Sequence, residues 1–256
     1  MEKGMKHIAS CSFGKDSLAT VLLALEHGDP LDEVVYCEVM FDEYTSGEVP
    51  EHRDFILDYA IPFLEKNGVR VVKLLSPMTY IQSFYRVLQK GANVGKLNGW
   101  PLCGHCCIQR DCKLPPIKSY KRAQGRDTVQ YIGISADENE RLARLDGVRK
   151  VSLLAKYGKT EADAAEICKA AGLLSPVYRF AKRNGCFFCP NASMSELRHL
   201  RTYHRDLWAR LLECQKAPNK ATELFNRNYR IDELDERLRV ECAQLSLFDE
   251  SRSSAA

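Results

Sequence analysis

Six consecutive residues near the start of the chain have side chains that can bind phosphate groups. The run is Ser12-Phe13-Gly14-Lys15-Asp16-Ser17, and it falls between a strand-like and a helix-like segment. Such a turn presents unpaired backbone N–H groups at the positive end of a helix dipole, which suits a di- or triphosphate. The glycine lets the backbone approach the phosphates, the lysine supplies a positive charge, and the serines supply hydroxyl groups. The aspartate would orient the loop or bind a magnesium ion. The run predicts a phosphate loop whose spacing differs from the Walker loop.

Closely spaced cysteines form a second group of reactive side chains. Cys103 and Cys106 are separated by two residues, and Cys107 follows at once. Cys186 and Cys189 have the same two-residue separation far downstream. Two such pairs can chelate one centre, because a tight turn aims both thiolates at the same point. One predicted ligand set is a four-thiolate site that suits zinc, made by Cys103, Cys106, Cys186 and Cys189.

We expect the cysteines to lie in a reducing compartment, because the start of the chain has no apolar signal region. The chain has eleven cysteines, of which Cys11, Cys37 and Cys168 fit the pattern of small buried core residues. Cys112 and His105 are further candidate ligands. In a reducing compartment clustered thiols bind metal or do redox chemistry more often than they form disulfides.

The overall composition predicts a globular chain with no membrane partner. Of 256 residues, 45% are hydrophobic and 28% are charged. No apolar run reaches the roughly 18 residues that a bilayer span requires. The segment from Met1 to His7 has no apolar signal region, so we expect a cytoplasmic location. The net charge of +3 does not by itself indicate nucleic-acid binding, although basic side chains crowd residues 198–210.

Strand-like and helix-like patterns alternate along the first part of the chain. Predicted strands cover 7–12, 33–40, 69–75 and 128–134, and predicted helices follow at 18–25, 52–66 with a break near Pro62, and 160–171. Repeated βαβ units build a parallel sheet, so the predicted fold class is α/β. Residues 195–215 predict one long amphipathic helix.

These patterns divide the chain into three predicted parts. Residues 1–175 form an α/β nucleotide-binding domain that includes a loop at 91–116 rich in Gly, Cys and Pro. The loop has no clear periodicity, so we interpret it as functional. Residues 176–240 carry the second cysteine pair and a helical C-terminal region, and residues 241–256 form a flexible tail.

The phosphate loop resembles that of the PP-loop superfamily, which comprises ATP pyrophosphatases and phosphoadenosine phosphosulfate (PAPS) reductases. The common loop reads Ser-Gly-Gly-Lys-Asp-Ser, and Phe13 is the one departure from it. Residues 133–141, Gly-Ile-Ser-Ala-Asp-Glu-Asn-Glu-Arg, and residues 183–190, Arg-Asn-Gly-Cys-Phe-Phe-Cys-Pro, are similar to bacterial and phage members of the PAPS reductase family. The resemblance runs from about Ile8 to Trp208.

This resemblance implies a fold and a ligand. The fold is a Rossmann-like sheet of the adenine nucleotide alpha hydrolase type, with a cysteine-rich insertion and a helical C-terminal region. ATP with Mg²⁺ would lie at the carboxyl ends of the strands, as in open α/β sheets generally. Asp137, Glu138 and Arg141 follow a predicted strand and would face the nucleotide, although a charged helix start explains the same pattern.

The resemblance also implies a second ligand set for the cysteines. Adjacent cysteines followed downstream by Cys-x-x-Cys resemble the arrangement that binds a [4Fe-4S] cluster in adenylyl-sulfate reductases. Here the set is Cys106, Cys107, Cys186 and Cys189. We prefer it to the zinc set because the residues that follow the first pair, from Ile108 to Pro116, also resemble those enzymes. Arg110 and Lys113 lie near the first pair in sequence and would attract an anionic sulfate or phosphate group.

Two reactions compete in this interpretation. In the first, ATP adenylates a substrate, and a sulfur nucleophile supplied by a donor such as a cysteine desulfurase then displaces AMP. The intact Lys15-Asp16-Ser17 favours this reaction, because sulfonucleotide reductases usually lack that triplet. In the second, a cysteine thiolate attacks the sulfur of adenylyl sulfate or PAPS and is released by thioredoxin. Cys242, in a partial Glu-Cys-Gly-like context, is the candidate nucleophile. A third hypothesis is a non-catalytic nucleotide- or cluster-sensing module.

The C-terminal tail contains a possible docking motif. The segment Gln244-Leu245-Ser246-Leu247-Phe248 resembles the pentapeptide with which bacterial DNA polymerases and repair proteins hold the sliding clamp. A short apolar peptide can fill pockets on a partner, but it can equally fold back onto its own protein. If it binds the clamp, the sulfur chemistry would be delivered to DNA, and RNA is the other predicted nucleic-acid substrate.

Overall fold

The computed structural model of the chain describes residues 5–102, 104, 106–124, 127–183 and 185–241. The strands are β1 Lys6–Ser10, β2 Glu33–Glu38, β3 Arg70–Leu75, β4 Thr128–Ile132 and β5 Lys150–Val151. The first helices are α1 Lys15–His27, α2 Pro50–Asp54, α3 Ile61–Lys66, α4 Tyr80–Phe84 and α5 Leu114–Ala123. The later helices are α6 Asn139–Leu142, α7 Leu153–Lys156, α8 Glu161–Ala170, α9 Met194–Tyr203 and α10 Arg205–Lys216. Residues 231–241 are also helical.

The five strands form one parallel sheet in the order β3-β2-β1-β4-β5. This arrangement confirms the predicted α/β fold class. Ala9 in β1 lies opposite Val34 on one side and Tyr131 on the other, so β1 is the central strand. The chain adds β2 and β3 on one side of β1 and then crosses to add β4 on the other. In open α/β sheets, ligands bind at the carboxyl ends of strands where the order reverses in this way.

One hydrophobic core holds this sheet against its helices. Side chains from β1, β2 and β4 share it with α1, α3, α7 and α8. All six residues of β2 are buried, as expected for a strand covered on both faces. Helix α5 contacts β2 and β3 but has no buried residue. Because parallel crossovers are right-handed, α5 covers the face opposite to α1.

Several helix boundaries follow the local signals in the sequence. Helix α1 ends at Gly28, whose φ of 67° is the left-handed conformation that favours glycine at this position. Thr160 caps α8 through a capping box with Asp163, so that the helix begins where the sequence predicts it. The predicted helix around 52–66 forms with a π-helical turn at Phe55–Ala60, immediately before Pro62. This turn accommodates a proline that cannot continue regular helical hydrogen bonding.

The prediction of one long helix over residues 195–215 is wrong, because the structure has two helices there. Residues 195–215 do not form a single helix, because His204 adopts φ −125° and ψ 60° and separates α9 from α10. Its N–H donates to the Leu200 carbonyl at 2.9 Å and closes α9, while its own carbonyl accepts from Trp208 at 3.0 Å and begins α10. The segment contains no Gly or Pro, so its amphipathic pattern gives no warning of the break.

The chain forms two compact units, each taken over its described residues. The first comprises Met1–Tyr80 with Gln109–Asn184 and contains the whole sheet. The second comprises Ile81–Ile108 with Gly185–Ala256. The predicted cysteine-rich loop at 91–116 is thus divided between the units.

The second unit has an aromatic core that joins its two chain segments. Trp100 is buried between Phe84 and Phe225, with ring centroids 5.1 Å and 5.0 Å away in edge-to-face geometry. The indole N–H of Trp100 donates to the Gln215 side chain at 3.1 Å. Leu97 and Lys220 form an isolated parallel β-bridge, which joins the segment before the cysteines to the C-terminal region. No helix of the described residues has the length and apolar character needed to cross a membrane.

Candidate nucleotide-binding site

The phosphate-loop residues follow β1 and meet the segment that follows β4. Both segments lie at the carboxyl ends of neighbouring strands, where the strand order reverses. Gly133, directly after β4, packs against the backbone of the loop. A Cβ atom on Gly133 would lie 2.6 Å from the Ser17 nitrogen and 2.7 Å from the Asp16 carbonyl carbon. Glycine is therefore required here for the two segments to approach.

The backbone of the loop is held in a strained conformation at Phe13. Its φ of 58° is uncommon for a residue with a side chain. Burial of the ring against Tyr36, with centroids 5.4 Å apart, anchors this conformation. The Phe13 N–H donates to the Cys11 thiol at 3.3 Å, and the Ser12 N–H donates to the Ser17 hydroxyl at 3.2 Å. Phe13 thus occupies a position where the resembled family has glycine, and packing offsets the cost.

The start of α1 presents backbone donors. Among the described residues, the N–H groups of Gly14, Asp16 and Ser17 donate to no protein acceptor. The N–H of Lys15 donates to the Tyr178 hydroxyl oxygen at 2.8 Å. These three amides lie at the positive end of a 13-residue helix, a position that suits an anion.

The amine of Lys15 is buried and held by carboxylates. Its Nζ lies 2.5 Å from Glu161 and 3.4 Å from Asp16. Burial raises the pKa of Asp16 above its ordinary value, Lys15 opposes this change, and the negative charges of Glu161 and Glu138 add to it. The Lys15 amine therefore lies among several carboxylates, an arrangement suited to accepting phosphates together with a divalent metal ion.

The three predicted residues after β4 lie next to this cluster. The Asp137 carboxylate accepts from the Glu161 N–H at 3.3 Å. Glu138 accepts from the Ser135 N–H at 3.2 Å and pairs with Arg141 at 2.5 Å. Glu138 is also the residue before α6, so the charged-helix-start interpretation describes the same geometry. Asp137 is thereby linked to the phosphate loop through Glu161, which pairs with Lys15, and the negative charge of Glu138 acts on Asp16.

A buried histidine, His52, forms a hydrogen bond to the backbone of the loop. His52 has no exposed surface, and its Nε2–H donates to the Ser12 carbonyl at 3.0 Å. Its Nδ1 lies 2.9 Å from the Ser175 hydroxyl, which donates to it when Nε2 carries the proton. Ser175 directly precedes the turn Pro176–Arg179, which carries Tyr178. Residues 175–179 thus contact the loop directly at Lys15 through Tyr178, and they support it at Ser12 through His52.

The four cysteines of the preferred ligand set all lie in the second unit and are partly exposed. Cys186 and Cys189 form a turn in which the Cys189 N–H donates to the Cys186 carbonyl at 2.9 Å. The Asn98 side-chain amide donates to the Cys107 thiol at 3.7 Å. Among the described residues, no three cysteine thiols lie within 4.8 Å of one another.

The other predicted site residues have separate environments. Arg110 pairs with Asp111 at 2.6 Å, and Lys113 pairs with the buried Glu48 at 3.3 Å. Cys11, Cys37, Cys112 and Cys168 are buried in the first unit. Cys103, His105, Cys242 and the tail motif Gln244–Phe248 lie outside the described residues. Within the basic stretch, Arg198 pairs with Glu241 and Arg201 with Asp235, each at 2.7 Å.

Four residues of the site were not identified from the sequence: His52, Glu161, Ser175 and Tyr178. Each contacts the loop through a long-range hydrogen bond or ion pair, or supports a residue that does. The helix predicted over 160–171 does place Glu161 in the first turn of α8. No local sequence pattern indicates that these residues contact the phosphate loop in the folded chain.

Comparison with known proteins finds a likeness among solved structures at low sequence identity. No protein-family model matches this sequence, and no curated protein matches it. Among solved structures, the chain is similar to the U34-tRNA thiolase NcsA from Methanococcus maripaludis, determined with its [4Fe-4S] cluster. The two share 17% sequence identity with a TM-score of 0.42, over 92% of this chain and 72% of the thiolase chain. The α/β fold is established by the strand order of the chain itself.

Proposed function

We propose that the loop from Ser12 to Ser17 binds the phosphates of ATP, and that the protein uses ATP to activate a substrate for sulfur transfer. The observation that carries this proposal is the group of unpaired amides of Gly14, Asp16 and Ser17 beside the Lys15 amine. They lie where the strand order reverses.

The proposed reaction has two steps. A substrate oxygen attacks the α-phosphorus of ATP, the bond to the bridging oxygen breaks, and pyrophosphate leaves. A sulfur nucleophile then attacks the activated carbon, and AMP departs with the oxygen. Adenylation is useful because it converts a poor oxygen leaving group into a good one.

Residues of the loop have distinct proposed roles in the first step. Lys15 exchanges its contact with Glu161 for a phosphate oxygen, where its charge opposes the charge that develops on pyrophosphate. Asp16 would hold Mg²⁺, because its carboxylate lies at the start of α1 and near two further carboxylates. Arg141, which pairs with Glu138, would supply a second cation to the phosphates.

The cysteines supply the proposed link to sulfur chemistry. Cys106, Cys107, Cys186 and Cys189 would hold a [4Fe-4S] cluster, whose irons can bind sulfur. Their thiols suit this role because they are partly exposed, lie in one compact unit and include a Cys-x-x-Cys turn. The Asn98 amide would add an N–H···S hydrogen bond to Cys107.

The experiment that tests this function compares the products of two nucleotide classes. The full chain, purified anaerobically, is incubated with labelled ATP, Mg²⁺ and sulfide in the presence of bulk RNA or DNA, and AMP and pyrophosphate are measured. Parallel reactions contain adenylyl sulfate or PAPS with reduced thioredoxin, and sulfite is measured. We expect AMP and pyrophosphate in equal amounts and no sulfite. Sulfite release without pyrophosphate formation would overturn the proposal in favour of sulfonucleotide reduction.

A further inference from the structure

We infer that Tyr178 is a phosphate-binding residue, whose hydroxyl donates a hydrogen bond to the nucleotide held by the loop. This inference rests on the proposed function and deepens it. Tyr178 lies in the turn Pro176–Arg179, more than 150 residues after the phosphate loop in the sequence. It therefore adds to the loop a donor that the motif itself does not contain.

The hydroxyl of Tyr178 is placed among the anion-binding amides. Its oxygen accepts from the Lys15 N–H at 2.8 Å, between the unpaired N–H groups of Gly14 and Asp16 in sequence. A phenol that accepts one hydrogen bond still has its own O–H to donate. Among the described residues, that O–H has no protein acceptor. A ligand anion bound at the start of α1 would supply one.

The ring of Tyr178 also lies beside the cation of the site. The Lys15 Nζ is 5.8 Å from the ring centroid, within the range of a cation–π contact. Tyr178 thus contacts Lys15 twice, with its hydroxyl at the backbone N–H and with its ring at the side-chain amine. A phosphate that accepts the Lys15 amine in place of Glu161 would therefore bind beside Tyr178.

The phenol is suited to donate rather than to carry charge. Burial raises the pKa of Tyr178, and the nearby Asp16 raises it further, while the hydrogen bond from the Lys15 backbone opposes this change. The hydroxyl therefore stays protonated at neutral pH and brings no negative charge next to the phosphates. A neutral donor aimed at an anion gives a stronger hydrogen bond than one aimed at a neutral group.

This role makes a specific prediction about which ligands depend on Tyr178. Substitution Tyr178→Phe removes one oxygen and keeps the ring over Lys15. We expect the Kd for ATP with Mg²⁺ to rise about tenfold, which is typical for loss of one hydrogen bond to a charged group. Inorganic pyrophosphate should lose affinity similarly, whereas the affinity for adenosine should not change. Calorimetric titration of the full-length protein measures all three ligands, and thermal melting checks that the variant is folded.

Tyr157→Phe is the matched control. The Tyr157 hydroxyl donates to Asp29 at 2.7 Å, and its ring stacks on His27 at the opposite end of α1. This variant also loses one tyrosine hydroxyl and its hydrogen bond, but its affinity for ATP should equal that of the wild type. A purely structural Tyr178 would weaken ATP and adenosine alike or leave both unchanged, and either result would overturn the inference. A wild-type protein that binds neither ATP nor pyrophosphate would instead overturn the proposed function and this inference with it.

Discussion

At the scale of single residues, His52 shows how the loop depends on one protonation state. The Ser12 carbonyl can only accept, so Nε2 carries the proton and Nδ1 accepts from Ser175. Protonation of Nδ1 would abolish that acceptor inside a fully buried environment. Burial lowers the pKa of His52 below its usual 6.5, Glu48 and the Ser12 carbonyl oppose this, and Lys113 adds to it.

This shift predicts acid sensitivity. Because the folded pKa of His52 is below its unfolded value near 6.5, the unfolded state binds more protons as the pH falls through that region. Stability is therefore fully present above pH 6.5 and declines below it towards the folded pKa. The Gln side chain can still donate to Ser12 but does not titrate. We expect the free energy of unfolding to fall less between pH 7.5 and 5.5 in His52→Gln than in the wild type, measured by urea denaturation. Equal losses in both proteins would contradict this assignment.

The residues of the motif were predictable, but most of their partners were not. Lys15, Asp16 and Ser17 stand out because hydroxyl, charge and glycine converge locally between a strand and a helix. Glu161 and Tyr178 contact the same loop from more than 140 residues away in sequence. Their side chains are ordinary in their own segments, so only tertiary packing identifies them.

At the scale of elements, the sequence predicted strands and capped helices better than breaks. Strand β2 and helix α8 carry strong local signals, namely a buried apolar run and a capping box. The two-residue strand β5 is too short to show periodicity. The break at His204 depends on hydrogen bonds to Leu200 and Trp208, and residues there have no unusual backbone preference.

The Cys-x-x-Cys turn and the Cys106–Cys107 pair allow a test of the metal prediction. If these elements bind a [4Fe-4S] cluster, the protein purified without oxygen should be brown and contain about four iron atoms per chain. Exchange of Cys107 for Ser should remove most of this iron, whereas Cys214→Ser, a buried cysteine of the same unit, should retain it. Metal analysis and visible absorption measure both. A colourless wild type with stoichiometric zinc would favour the set that includes Cys103.

At the scale of the whole molecule, sequence patterns predicted a parallel sheet but not its strand order. Alternating elements indicate βαβ units, whereas the crossing from β3 to β4 past the central strand appears only in the folded chain. That crossing brings Gly133 against Ser17, beside the proposed nucleotide site. The division into two units likewise depends on contacts between distant segments, such as the bridge from Leu97 to Lys220.

The most direct test of the account is equilibrium binding of ATP with Mg²⁺ to the wild type, Lys15→Ala and Lys156→Ala. Lys15 is the buried cation of the proposed site, while Lys156 forms an ion pair with Asp29 at 2.5 Å elsewhere in the same unit. We predict that the wild type and Lys156→Ala bind equally, and that Lys15→Ala binds at least about tenfold more weakly, since it loses a charged phosphate contact. Undiminished binding by folded Lys15→Ala would contradict the assignment of this loop as the nucleotide site.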